Sequence, residues 1–332
     1  MTSAPTASNS PVHDSVLPVV EAARHVRLHP ERIAEIAGWM AYEDLPFPTY
    51  LLPFRPSTDR GETIDFVLVA ASIDFAFTDF TTGERFEVDH AGRRWSDSDA
   101  LFACLGRALE QGTHVLDGQW LAAVTADDLR AIFAGSIELP MLAERAEVLR
   151  SIGHTLVASY GGRFRNVVDS ASPALYDDGR GLLEVLVRDF PRFRDVSTYA
   201  GHEVRIYKLA QLAIWMLYTS LGDLGGLRID DMHRMSAFAD YIVPVGLRLM
   251  GAISYTDELE HRINNRDLIE ADSEEEIEIR AVSLHACALL TAEVNARRPA
   301  DLQVIVPQID ARLWTHFHTT TWPHHLTHTT MY

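Results

Sequence analysis

From Ser273 to Pro299 the chain writes out one long helix in its own residues. Ser273 and Glu276 have the spacing of a capping box, and an apolar-rich run follows until Pro299, which cannot continue a helix. A segment of that length has to be packed by other elements, and its neighbours also read as helical. Pro30 sits at a first helical position, ahead of Ile33, Ile36, Ala37 and Met40 on one face. Thr125 and Asp128 form a second capping box before Leu129, Ile132 and Phe133. Met141 to Tyr160 is amphipathic and closes on Gly161-Gly162. Strand signals are few: the Val-, Ile- and Phe-rich stretch from Ile64 to Phe77, an alternating stretch from Phe80 to Val88 around Thr82-Gly83, and Glu203 to Tyr207. The expected architecture is mainly α, with a small β-sheet in the N-terminal half. Residues 1–12, rich in Ser, Thr, Pro and Ala, read as a disordered tail. Residues 13–332 then form one domain; a subdivision near residue 140 is allowed, although no shift in composition marks it.

A chain of 332 residues with 47% hydrophobic and 23% charged residues has ordinary globular composition. Its apolar runs, such as Phe66 to Ala71, are far too short to cross a bilayer, and the first residues lack the basic and apolar regions of a signal peptide. Cys104 and Cys287 both lie in apolar helical patterns and neither belongs to a CxxC, so buried free thiols in a reducing cytoplasm are expected. The net charge of -18 opposes the phosphates of a polymeric nucleic acid or a membrane surface. A local basic pocket for one phosphate remains compatible with it. The oligomeric state is left open.

Eight segments, in order, resemble the queuosine salvage protein family. They are AARHVRLHPERI (22–33), SIDFAF (72–77), LPMLAERAEVLRSIG (139–153), FPRFRDVS (190–197), YKLAQ (207–211), FADYIVP (238–244), SEEEIEIRA (273–281) and PHHLTHTTMY (323–332). The resemblance implies a fold similar to helical DNA glycosylases. It implies a hydrolase that cuts the N-glycosidic bond of queuosine 5'-monophosphate to release queuine, with no metal or organic cofactor.

Such chemistry sets its own demands. As the base leaves, positive charge builds on the ribosyl ring; a fixed carboxylate stabilises it and orients or deprotonates the attacking water. A 7-deazapurine has carbon where purines offer N7, so the leaving base must be stabilised through its other edge. The resemblance places the catalytic carboxylate at Asp240, between Phe238 and Tyr241. Read locally, the same Asp would simply cap a helix starting near Pro244. Asp74 stands where the family usually has Asn, and Thr78 where it has Trp. An ionised Asp accepts but cannot donate, so these changes bear on substrate identity; Phe75 is a stacking candidate in the same segment. Lys208 matches the family's Lys and suits a phosphate or a ribose hydroxyl, against the ordinary fate of a snorkelling surface Lys. The arginines usually found after that Lys and after FADY are Leu209 and Ile242 here, which touches recognition of the 5'-phosphate.

His324 and His325 are further substrate-binding candidates, and Tyr332 suggests a C-terminal segment packed in place. With His316, His318 and His328 they invite a metal reading, but no HExxH or Cys/His spacing supports one. His233 precedes FADY, where a lone His is more often structural. Glu275, Glu276 and Glu278 suit the first turns of a helix, with Arg280 as a partner. Competing readings are a diverged N-glycosidase for a free nucleoside or another modified base, a non-catalytic nucleoside-binding protein, and, by fold analogy alone, a nucleic-acid glycosylase.

Overall fold

In a computed structural model, described here for residues 10–48 and 59–332, the segment after Ser273 is the helix Glu274–Asn295. Ser273 caps it by accepting from Glu276 N–H at 3.3 Å. Only half of the expected box forms, because the Glu276 carboxylate turns inward to Arg280. The box at Thr125 and Asp128 forms in both directions and opens the helix Ala126–Ile132. The helix Pro30–Met40 buries Ile33, Ile36, Ala37 and Met40, as its spacing requires. The amphipathic stretch becomes the helix Leu142–Ser159.

The described residues contain fourteen α-helices and three two-stranded antiparallel sheets. The sheets pair Val26–Leu28 with Ile253–Tyr255, Glu87–His90 with Arg93–Ser96, and Val196–Tyr199 with His202–Arg205. One of them lies wholly in the N-terminal half. The first joins residues more than two hundred positions apart, which no local pattern announces.

Two strand expectations are corrected. Ile64 to Ser72 belongs to the helix Arg60–Ser72, capped by Asp59, whose side chain accepts from Glu62 N–H. Every residue from Thr63 to Ser72 is buried, so the helix shows no polar stripe and its apolar run imitates a buried strand. Around Thr82-Gly83 the chain does reverse, with Asp79 and Glu84 paired and Phe86 N–H on Phe77 O at 2.8 Å. Regular pairing begins only at Glu87.

The described chain divides into two units. The first holds residues 10–48, Asp195–Gln211 and Asp231–His328; the second holds residues 59–194, Leu212–Asp230 and Thr329–Tyr332. Residue 140, the sequence's candidate boundary, lies inside the second unit. Of the segment expected as a tail, residues 1–9 lie outside the described residues, whereas Pro11 and Val12 already belong to the helix Pro11–Ala22.

The core of the first unit forms where Pro11–Ala22 and Pro30–Met40 pack on Glu274–Asn295. Glu278, fully buried within that helix, accepts from the N–H groups of Arg24, His25 and Val26 and from the Tyr199 hydroxyl. Four donors on one carboxylate replace its lost hydration and fix the turn into the first strand. In the second unit, the helices Gly118–Ala123 and Leu142–Ser159 meet closely at Gly153, where a Cβ would fall 2.2 Å from Ala122 N. No helix among the described residues is long and apolar enough to cross a membrane.

Candidate active site

FADY leads into the helix Ile242–Leu249, and the reason is Asp240 itself. Its Oδ1 accepts from Ile242 N–H at 2.8 Å and Val243 N–H at 3.1 Å, so the local capping reading is realised. Capping does not exhaust this residue. Asp240 is only 7% exposed, and its charge reaches a second carboxylate, Asp310, on the helix Val306–Phe317. Asp310 Oδ2 accepts from Phe238 N–H at 2.8 Å, which ties this helix to FADY two residues before Asp240.

Burial, and next the neighbouring Asp240, hold the Asp310 carboxyl well above the usual carboxylate range; the Phe238 N–H and Lys208 oppose this. Cys287 faces the same two carboxylates. Burial and their charges push its thiol well up, so it is an inert neutral wall. Two acids, one of them disposed to keep its proton, beside one lysine make an arrangement suited to acid–base work.

Lys208 starts the helix Lys208–Ser220 and is 6% exposed, contrary to the ordinary surface fate of a lysine. It is the sole lysine among the 29 Lys and Arg residues of the chain. Its backbone N–H donates to Asp195 Oδ2 at 3.2 Å. Tyr241 stacks on His324 with ring centroids 4.6 Å apart. His325 is buried, and burial, with His324, Arg280 and Arg248 nearby, lowers it to about 3, so it is a neutral imidazole. The first unit thus brings together Asp240, Phe238, Lys208, Tyr241, His324 and His325. His233 belongs to the same unit but lies exposed in the short turn Met232–Arg234.

The remaining candidates belong to the second unit. Asp74 is buried and Oδ1 accepts from Ser98 Oγ at 2.6 Å. Phe75 is buried, and its ring faces the guanidinium groups of Arg145 at 4.2 Å and Arg192 at 4.9 Å. Burial lowers Arg145 to about 9 despite Asp74. Arg192 also donates to the carbonyls of Ser72 and Thr330, anchoring the last residues; Tyr332 is buried. A surface cavity of about 670 Å³ opens in this unit, lined by Glu62, Glu110, His114, Arg163, Arg165 and Asn166 among others. None of the candidate residues lines it. Its arginines are engaged by carboxylates, Arg163 with Asp117 at 3.0 Å and Arg165 with Asp65 at 2.6 Å. The carboxylate cluster is therefore the stronger chemical candidate.

Sequence reasoning missed Asp310. Its signal was present: an acidic residue on the face of a helix whose other members, Val306, Ile309 and Leu313, are core. A charge on an apolar helix face is costly unless it has a partner or a task.

Comparisons with known proteins bear on the family of the chain. The sequence model described as Queuosine salvage protein matches residues 54–332. A protein of Sphaerobacter thermophilus named queuosine 5'-phosphate N-glycosylase/hydrolase is 36% identical over 320 residues, covering 95% of each chain. Proteins with the same name from Bos taurus and Schizosaccharomyces pombe are 27% and 28% identical, covering 77% and 78% of this chain and 72% and 76% of their own.

Proposed function

Because this chain belongs to the queuosine salvage protein family, we propose that it is an N-glycosyl hydrolase that releases queuine from queuosine 5'-monophosphate, with Asp240 as its central carboxylate. The observation that carries the reading is the buried grouping of Asp240, Asp310 and Lys208. In the reaction the bond from C1' to the base nitrogen breaks, its electron pair leaves with the base, and a water oxygen bonds to C1'. Asp240 stabilises the positive charge on the ring and takes the water's proton. Asp310, kept neutral, leaves the negative charge of the pair on Asp240. Lys208 supplies a fixed positive charge for an anionic group of the substrate. Tyr241 and His324 offer aromatic surface for the leaving base, and neutral His325 offers a hydrogen bond.

A small nucleotide substrate also agrees with the charge of -18, which opposes a polymeric nucleic acid. Two buried free thiols suit a cytoplasmic setting. The test is chromatographic base release from queuosine 5'-monophosphate and, separately, from queuosine nucleoside. Queuine from the nucleotide, with little from the nucleoside, is the expected result. Release from the nucleoside alone would replace the nucleotide by the nucleoside as substrate, and release from neither would overturn the reading.

A further inference from the structure

Lys208 and Asp240 are 32 residues apart in sequence and rest on different elements, so something must set one against the other. A single planar group bridges both. Arg280, on the long helix Glu274–Asn295, is 2% exposed. Its Nε donates to Ala239 O at 3.2 Å, the carbonyl immediately before Asp240. Its Nη1 and Nη2 hold the Asp195 carboxylate at 3.1 and 2.5 Å, and Nη1 also reaches Glu276 at 3.4 Å.

Asp195 in turn holds the chain that delivers Lys208. Its Oδ2 accepts from Lys208 N–H at 3.2 Å, and its carbonyl accepts from Ile206 N–H at 3.0 Å and Tyr207 N–H at 3.2 Å. Tyr207, directly before Lys208, has φ +50°. A bulky aromatic residue in the left-handed region is strained and persists only where its surroundings over-determine it. Here the bonds to Asp195 do so.

We propose that Arg280 and Asp195 are positioning residues that fix Lys208 and Asp240 relative to one another, an inference that rests on the proposed roles of Lys208 as the substrate's fixed positive charge and Asp240 as the central carboxylate. Stability alone gives a poor account of the arrangement. A buried ion pair contributes little beyond what apolar side chains of similar volume would. Its distinctive property is direction: a rigid guanidinium fork sets several bonds at once.

The chain's single lysine makes the test direct. With ε-13C-lysine incorporated, the full-length protein shows one side-chain lysine signal, from Lys208. Arg280→Met and Asp195→Asn, which add no lysine, should shift that signal. They should also lower kcat for base release by about 10–100-fold, with KM within about threefold of wild type. Arg280→Lys retains the charge opposite Asp195 but loses the fork, so it should fold and still lose at least about tenfold in kcat. Folded Asp195→Asn and Arg280→Met proteins with the wild-type signal and kcat would overturn the proposal. If both fail to fold, a folded Arg280→Lys protein with wild-type kcat would overturn it. Lys208→Met and Asp240→Asn, assayed alongside, separate the two ideas: full turnover in these variants refutes the roles proposed for Lys208 and Asp240 themselves, whereas their inactivity beside fully active Arg280 and Asp195 variants refutes only the positioning.

Discussion

Replacing Asp240 by Asn separates the helix cap that this side chain forms from the catalytic role proposed for it. Oδ1 accepts from two backbone N–H groups at the start of Ile242–Leu249. An Asn oxygen can accept both, and Asn caps helices about as well as Asp. The variant loses a negative charge near a helix N-terminus, at a cost of about 0.3–1 kcal/mol. It also eases the cost of holding buried Asp310 protonated, to which the Asp240 charge contributes, and this offsets part of that loss. Unfolding stability should therefore change by less than about 1 kcal/mol. Turnover should behave differently. A preorganised charge facing a developing cation acts in a buried site, and losing one such stabiliser costs about 3–4 kcal/mol, or roughly 10²–10³-fold in kcat. The assay is base release from queuosine 5'-monophosphate at saturation, with thermal unfolding of the same preparation. A stable Asn variant within about tenfold of wild-type kcat would show that Asp240 is a helix cap and nothing more. An unfolded variant would make its charge a structural requirement and equally refute the argument.

Two further expectations concern stability. His325 has an ordinary value of 6.5 and is lowered to about 3, so between those pH values the unfolded chain binds a proton that the folded chain refuses. Its contribution is present above pH 6.5 and is lost as pH falls toward 3, on the order of 5 kcal/mol in all. Denaturant titrations of wild type and His325→Gln at pH 7 and 4.5 should show a shallower acid loss in the variant, and equal losses would contradict the assignment. Gly153→Ala would place a Cβ 2.2 Å from Ala122 N and 2.7 Å from Gly118 O, both of them backbone atoms. The helices must then part, and the thermal midpoint should fall by roughly 5–10 °C; an unchanged midpoint would mean that they do not approach this closely.

What could be read from the sequence was what lies within one turn of helix. Thr125 with Asp128, Ser273 with Glu276, and Pro30 ahead of its apolar face each involve residues a few positions apart, where the chain connectivity itself brings donor and acceptor together. The candidate site was proposed from FADY and YKLAQ because a resemblance spanning most of the chain gave those short segments meaning. Apolar content alone misled at Ile64–Ser72, since a helix buried on every side loses the period that distinguishes it from a strand.

Tertiary structure decided everything that depends on residues far apart in the chain. Phe238 meets Asp310 across 72 positions and Arg280 meets Asp195 across 85. Local propensity does not encode these separations, because the entropy of closing such loops is offset only by the core that closes them all together. The same closure turned Asp240 from a helix cap into a member of a buried acid pair and turned Lys208, the chain's one lysine, inward from the surface. Residue type set what each group could do, and burial beside particular neighbours set which of those capacities it has in the folded protein.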